Sequence, residues 1–194
     1  MRRSLALAAL AVAAVACGGD DRELVGFTRD PAPSVDTVTL PDVSRDGEPF
    51  TLRAAEDGLL IVYFGYTNCP DVCPATMANL GAALDRLDEE DAARVGVAMV
   101  TVDPERDTAV LADYVQSFVD GAHALATDDP AALRAAAAPF AVGYEVVTRP
   151  DGEVEVGHTD LLFAVDDTGT LVLNWPFGTS VDDLAADIRQ LLDR

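Results

Sequence analysis

Two cysteines and a histidine carry the most distinctive chemistry in this sequence. Cys69 and Cys73 stand four residues apart in Phe64-Gly-Tyr-Thr-Asn-Cys-Pro-Asp-Val-Cys-Pro74. On a helix, residues i and i+4 share a face, with Cβ atoms roughly 5–6 Å apart. That separation lets two sulfurs close one disulfide or grip one ion. A staple closing so small a loop would add little stability, which favours a working role for the pair. Two sulfurs select soft ions such as Cu(I), or Zn(II), and leave the coordination incomplete. A third ligand is then expected, and the chain has two histidines. His123, in Gly121-Ala-His-Ala-Leu125, reads as structural or surface. His158, in Val156-Gly157-His158-Thr159-Asp160, reads as either a ligand or a hydrogen-bonded loop histidine.

The elements around these residues follow from periodicity. Leu59–Gly65 (LLIVYFG) is a continuous apolar run, as in a strand buried on both faces. A helix over about 72–87 follows from Met77, Leu80, Leu84 and Leu87 at helical spacing. Cys69 then sits at or just before a helix start, where free N–H groups and partial positive charge favour a thiolate. A lowered pKa is expected for Cys69, with an extension to Cys73 as the further expectation. Pro70 and Pro74 both suit a first helical turn.

Further strands are expected at Val38–Leu40, Phe50–Leu52, Val95–Val102, Leu161–Val165 and Thr170–Asn174. Helices are expected over about Thr108–Val119 and Pro130–Ala138, with Asp103 and Asp107 as caps around Pro104. Ser180 caps a last helix whose Leu184, Ile188 and Leu191 share a face. Tyr63, Phe64 and Phe163 read as core, and Tyr66 as a loop residue able to shield a bound ion from water. The fold class is therefore α/β: a central mixed sheet flanked by helices, with extra N-terminal strands.

The N-terminus reads as a targeting segment. Arg2 and Arg3 precede an uncharged run from Ser4 to Ala16, which ends in small residues before Cys17. The run is shorter than the roughly 20 residues a spanning helix needs. Ala14-Val15-Ala16-Cys17 resembles a bacterial lipobox, with Ala14 where Leu is more usual. The resemblance implies a cleaved signal peptide over 1–16, a lipidated Cys17, a flexible linker over 17–35, and a domain over 36–194. The acidic excess, 34 Asp and Glu against 13 Arg and no Lys, disfavours nucleic acid and suits cations or a more basic protein partner.

The order strand, cysteine loop, helix, strand, helix, hairpin, helix resembles the thioredoxin fold. In that fold the loop before the LLFAV-type strand lies beside the cysteine-bearing helix start, and an ordinary thioredoxin keeps a cis-proline there. His158 occupies about that position. Three blocks, GYTNCPDVCPATM, TVDPERDT and GHTDLLFAVDDTG, resemble the Sco/SenC family of copper chaperones in family order, over roughly 36–194. The resemblance implies copper, Cu(I) or Cu(II), held by Cys69, Cys73 and His158. It implies service in assembling the copper A centre of cytochrome c oxidase subunit II, with a copper donor chaperone upstream. It implies a site on the extracytoplasmic face of the plasma membrane. Gly157 departs from the Asp that often precedes this histidine, and Asp160 is a candidate replacement. Two other roles for the same sulfurs stand beside this one: a thiol–disulfide reductase keeping acceptor cysteines reduced, and a redox sensor.

Overall fold

A computed structural model describes residues 22–194. The lipobox, Cys17 and the signal-like run lie outside the described residues. Strands β1 (Thr39–Asp42), β2 (Glu48–Thr51), β3 (Leu59–Gly65), β4 (Val95–Thr101), β5 (His123–Leu125), β8 (Leu161–Asp166) and β9 (Leu171–Pro176) form one sheet, ordered β2-β1-β5-β4-β3-β8-β9. β3, β4 and β5 run parallel, while β8 and β9 are antiparallel. Helices α1 (Val72–Leu84), α2 (Glu89–Ala93), α3 (Pro104–Asp107), α4 (Leu111–Gln116), α5 (Pro130–Ala137) and α6 (Val181–Leu192) complete the layers. This is the expected α/β architecture with extra N-terminal strands.

The apolar run of β3 divides by parity, because successive side chains of a strand point to opposite faces. Leu59, Ile61 and Tyr63 enter a core with Cys73, Met77 and Leu80 of α1 and Leu184 and Ile188 of α6. Leu60, Val62 and Phe64 enter a second core with Leu133 of α5 and with Phe140 and Phe163. Gly65 ends the strand where a Cβ would come within 2.6 Å of the Tyr63 ring. The chain therefore leaves the sheet at a position that only glycine fits without displacing that ring.

Several expected boundaries shift. The helix expected from Thr108 to Val119 is shorter, α4 at Leu111–Gln116, and a separate turn of helix, α3 at Pro104–Asp107, precedes it. The helix after the cysteines ends at Leu84, leaving Leu87 beyond it. A hairpin absent from the sequence reading joins β6 (Tyr144–Thr148) to β7 (Val154–His158), and it forms a sheet of its own. Residues 22–35, expected as linker, lie against the domain. Phe27 bridges to Asn174 and Ser34 to Thr170 along the free edge of β9, and Val35 is fully buried. Covering the sheet edge in this way satisfies backbone groups that would otherwise stand open.

Candidate metal centre

Two elements deliver the site. β3 ends at Gly65 and releases the loop 66–71. One buried carboxylate organises this loop: Asp107 accepts from the Thr67 N–H at 2.9 Å, the Thr67 hydroxyl at 2.6 Å and the Thr101 hydroxyl at 2.6 Å. The loop is thereby tied to the end of β4. Asp103 pairs with Arg106 and makes no side-chain cap bond. The expected capping roles are replaced by an ion pair at Asp103 and a loop clamp at Asp107.

Cys69 lies in the loop, three residues before α1, just ahead of the helix start as expected. Cys73 is the second residue of α1 and is fully buried. The Cys73 N–H donates to Cys69 Sγ at 3.3 Å, so the pair still converges. Both cysteines are free thiols.

β7 delivers the histidine. His158 closes that strand opposite Tyr144, and its Nε2 lies 3.4 Å from Cys73 Sγ. The ring is set by Nδ1, which donates to the Thr159 carbonyl at 2.9 Å, because a carbonyl can only accept. With Nδ1 committed to that carbonyl, Nε2 is the ring nitrogen that faces the sulfur. The Tyr63 and Tyr66 rings meet the imidazole edge-on, with centroids at 6.0 and 5.8 Å. Tyr63 is therefore both core, as expected, and a wall of the site. Asp160 accepts from the Tyr63 hydroxyl at 3.0 Å. The imidazole is held by the Thr159 carbonyl, and Asp160 does not take the role offered for it. A Cβ at Gly157 would meet open space, so nothing substitutes for a carboxylate there.

The two thiols differ. Burial opposes ionisation of Cys69, but the backbone N–H groups of Cys73 and Asp71 outweigh it and bring its pKa below the ordinary thiol value. Burial pushes Cys73 up to about 12, with a further push from Cys69. The lowered pKa expected of Cys69 is present, and the extension to Cys73 fails because that sulfur lies inside the core. Burial and the neighbouring Cys69 raise Tyr66 to about 12. Tyr66 thus stays a protonated phenol over the sulfur pair.

His123 is structural, as expected. Its Nδ1 lies 2.7 Å from Asp42 Oδ2, and its ring stacks on Phe50 with centroids 3.9 Å apart.

This arrangement, a buried thiol against an imidazole with a second thiol on the adjoining loop, coincides with a family match. The SCO1/SenC family profile matches residues 41–193. The chain belongs to the SCO1/SenC family. The solution structure of apo Sco1 from Thermus thermophilus, another SCO1/SenC structure, is 33% identical, with a TM-score of 0.75 over 88% of this chain and 98% of that one. ScoI of Bradyrhizobium japonicum, solved with copper bound, is 28% identical, with a TM-score of 0.66 over 78% of this chain and 95% of that one. The mitochondrial SCO1 homolog 1 of Arabidopsis thaliana is 31% identical over 149 residues, 71% of this chain and 44% of that protein. The chain thus spans less than half the length of that SCO1 relative.

Among the described residues, no group of three His, Cys, Asp or Glu side chains is arranged to hold a metal ion as it stands. Cys73 and His158 already face one another. Cys69 Sγ lies beside the Cys73 N–H at 3.3 Å, next to that pair. The sequence reading missed the Asp107 clamp, since nothing in the spacing of Thr67 and Asp107 marks them as partners.

Proposed function

We propose that this protein is a copper metallochaperone in which Cys69, Cys73 and His158 take up the ion as cargo and pass it to the copper A site of cytochrome c oxidase subunit II. The observation that carries this reading is the 3.4 Å approach of His158 Nε2 to Cys73 Sγ, with Cys69 Sγ receiving the Cys73 N–H. Two sulfurs and one imidazole form a low-coordinate donor set suited to Cu(I) and able to accept Cu(II). The copper-bound Bradyrhizobium relative supports copper as the cargo. A three-ligand site lets an acceptor's thiolates enter one at a time, so the ion moves by ligand exchange. The acidic surface suits a more basic acceptor or a copper donor chaperone.

Lipid attachment at Cys17, after removal of residues 1–16, would hold the domain on the extracytoplasmic face of the plasma membrane. Arg2 and Arg3, the uncharged run and the small residues before Cys17 support this reading. Each buried CH₂ of an acyl chain contributes ~0.8 kcal/mol, so a diacyl group anchors a small domain.

One observation favours a second activity of the same sulfurs. Cys69 is partly exposed with a lowered pKa, while Cys73 is buried with a raised one. That division suits a reductase: the Cys69 thiolate attacks an acceptor disulfide, one acceptor sulfur leaves as a thiol, and Cys73 resolves the mixed disulfide. The acceptor gains two electrons and the 69–73 pair is oxidised.

The deciding experiment is a copper titration of the reduced protein, wild type against His158→Ala. The chaperone reading expects Cu(II) binding to collapse in the variant while the 69–73 disulfide still forms. Unchanged copper affinity in His158→Ala would remove His158 from the site. Disulfide reduction that survives His158→Ala but is lost in Cys69→Ser or Cys73→Ser would make thiol chemistry the primary function.

A further inference from the structure

The N-terminal strap leaves the domain at the cysteine end of the sheet. β3 runs toward the cysteine loop, and antiparallel β8 places Leu162 beside Tyr63. β9 in turn places Pro176 beside Leu161. Pro176 and Phe177 are therefore at the end that carries Cys69, Cys73 and His158. The strap runs antiparallel to β9, with Ser34 at Thr170 and Phe27 at Asn174. Followed upstream from Ser34, it moves toward that same end.

A buried carboxylate fixes the exit point. Asp187 of α6 is fully buried and accepts from the Val25 N–H at 3.0 Å, the Gly26 N–H at 3.0 Å and Trp175 Nε1 at 2.8 Å. Arg22 pairs with Asp187 and with Asp183 in the first turn of α6. Five peptide steps separate Arg22 from Cys17, the proposed lipid site. Fully extended, they span no more than roughly 18 Å.

The same edge is apolar. Val25 is 50% exposed, Phe27 45% and Phe177 50%, among few large hydrophobic residues that open to solvent. Single exposed apolar residues are ordinary, but these three share the sheet edge and loop nearest the tether. Apolar residues beside a lipid anchor add to membrane binding and restrict the orientation that a lone tether leaves free. The net charge of −21 gives anionic headgroups no attraction, so the contact is apolar in character.

We infer that the strap and the loop after β9 form a membrane-contact edge, with Val25, Phe27 and Phe177 in the bilayer interface and the cysteine end held close over the membrane. The inference rests on the lipid attachment at Cys17 and deepens the proposed function. It requires an acceptor that is itself membrane-bound and presents its metal site close to the bilayer surface.

The test uses the full-length lipidated protein on zwitterionic vesicles carrying acyl-chain bromines. Phe27→Trp and Phe177→Trp are compared with Glu56→Trp, an exposed position before β3 at the opposite end of the sheet. The buried Trp175 supplies the same background to all three. The expected result is blue-shifted emission and bromine quenching for positions 27 and 177, with water-like, unquenched emission at 56. Water-like emission at 27 and 177 in vesicle-bound protein, or equal quenching at 56, overturns the inference. Flotation read on the same samples separates the two claims. Protein that fails to float rejects the anchor and the inference together, whereas floating protein with unquenched indoles rejects the inference alone.

Discussion

Each histidine of this chain faces a different partner, and the contrast identifies which one is free to do chemistry. His123 bonds to the buried Asp42 carboxylate, which also accepts from Ser44 and Ala124 and pairs with Arg45. Charges and donors there are balanced within the domain. His158 spends Nδ1 on a backbone carbonyl and turns Nε2 to a thiol. The thiol is a weak hydrogen-bond partner where His123 has a carboxylate. A side chain whose remaining ring nitrogen points at a sulfur is left with ligand capacity. A histidine clamped by a buried carboxylate is part of the scaffold.

The largest expected effects test this division directly. His158→Ala should weaken copper binding by more than the ~10–100-fold typical of losing an outer-shell partner, with little change in melting temperature. His123→Ala should do the reverse. Parallel copper titrations and thermal melts measure both, and a copper defect in His123→Ala would break the comparison. The two buried carboxylates extend it. Asp42→Ala and Asp107→Ala each strand several buried donors, at about 1–3 kcal/mol for each unsatisfied group. Both should lower stability in denaturant titrations, but only Asp107→Ala should also weaken copper binding, because only it frees the 66–71 loop.

The thiols give the next contrast. At pH 8 a maleimide should modify Cys69 at least about tenfold faster than Cys73, since the thiolate is the nucleophile. Peptide mapping after partial labelling reads the ratio, and equal rates would contradict the buried, raised Cys73.

The pH dependence of stability sharpens the His123 side. Burial, opposed by Asp42, lowers the His123 pKa from 6.5. Hydrogen bonds from Ser44, His123 and Ala124 outweigh burial at Asp42 and hold it near 2 instead of 3.8. Both groups bind more protons in the unfolded chain. Stability should therefore fall as pH drops below about 6.5, and fall further between about 3.8 and 2. His123→Ala should flatten the upper part of that curve. The smallest effect expected is for Gly157→Asp. Open space at that Cβ keeps the change in stability within about 0.5 kcal/mol, and a large loss in a thermal melt would contradict that geometry.

Much of the fold was legible. The LLIVYFG run suited a strand covered on both faces, and the two-core packing of its alternate residues bears this out. The proximity of His158 to Cys73 was implied by the resemblance to the thioredoxin fold, and the 3.4 Å approach agrees with it. Other features escaped for physical reasons. β6 and β7 alternate valines with polar residues and leave most of them open to solvent, so no buried apolar run marks them, although Arg149-Pro-Asp-Gly152 is a turn signal for such a hairpin. The strap looked like linker because its prolines and charges hid two β-bridges and the Asp187 contacts. Thr67 and Asp107 meet across 40 residues, a pairing that only the folded chain makes evident.

The placement of His158 makes the site mechanically asymmetric. Cys73 belongs to a helix sunk in the main core, whereas His158 rides on a ribbon that hydrogen-bonds chiefly to itself, its base closed by Gly143 bonding to Thr159. One jaw is bolted to the frame and the other hangs on a short hinge. Opening that jaw breaks few bonds and leaves the sheet intact, so on the proposed reading an incoming donor displaces the imidazole without unfolding the domain.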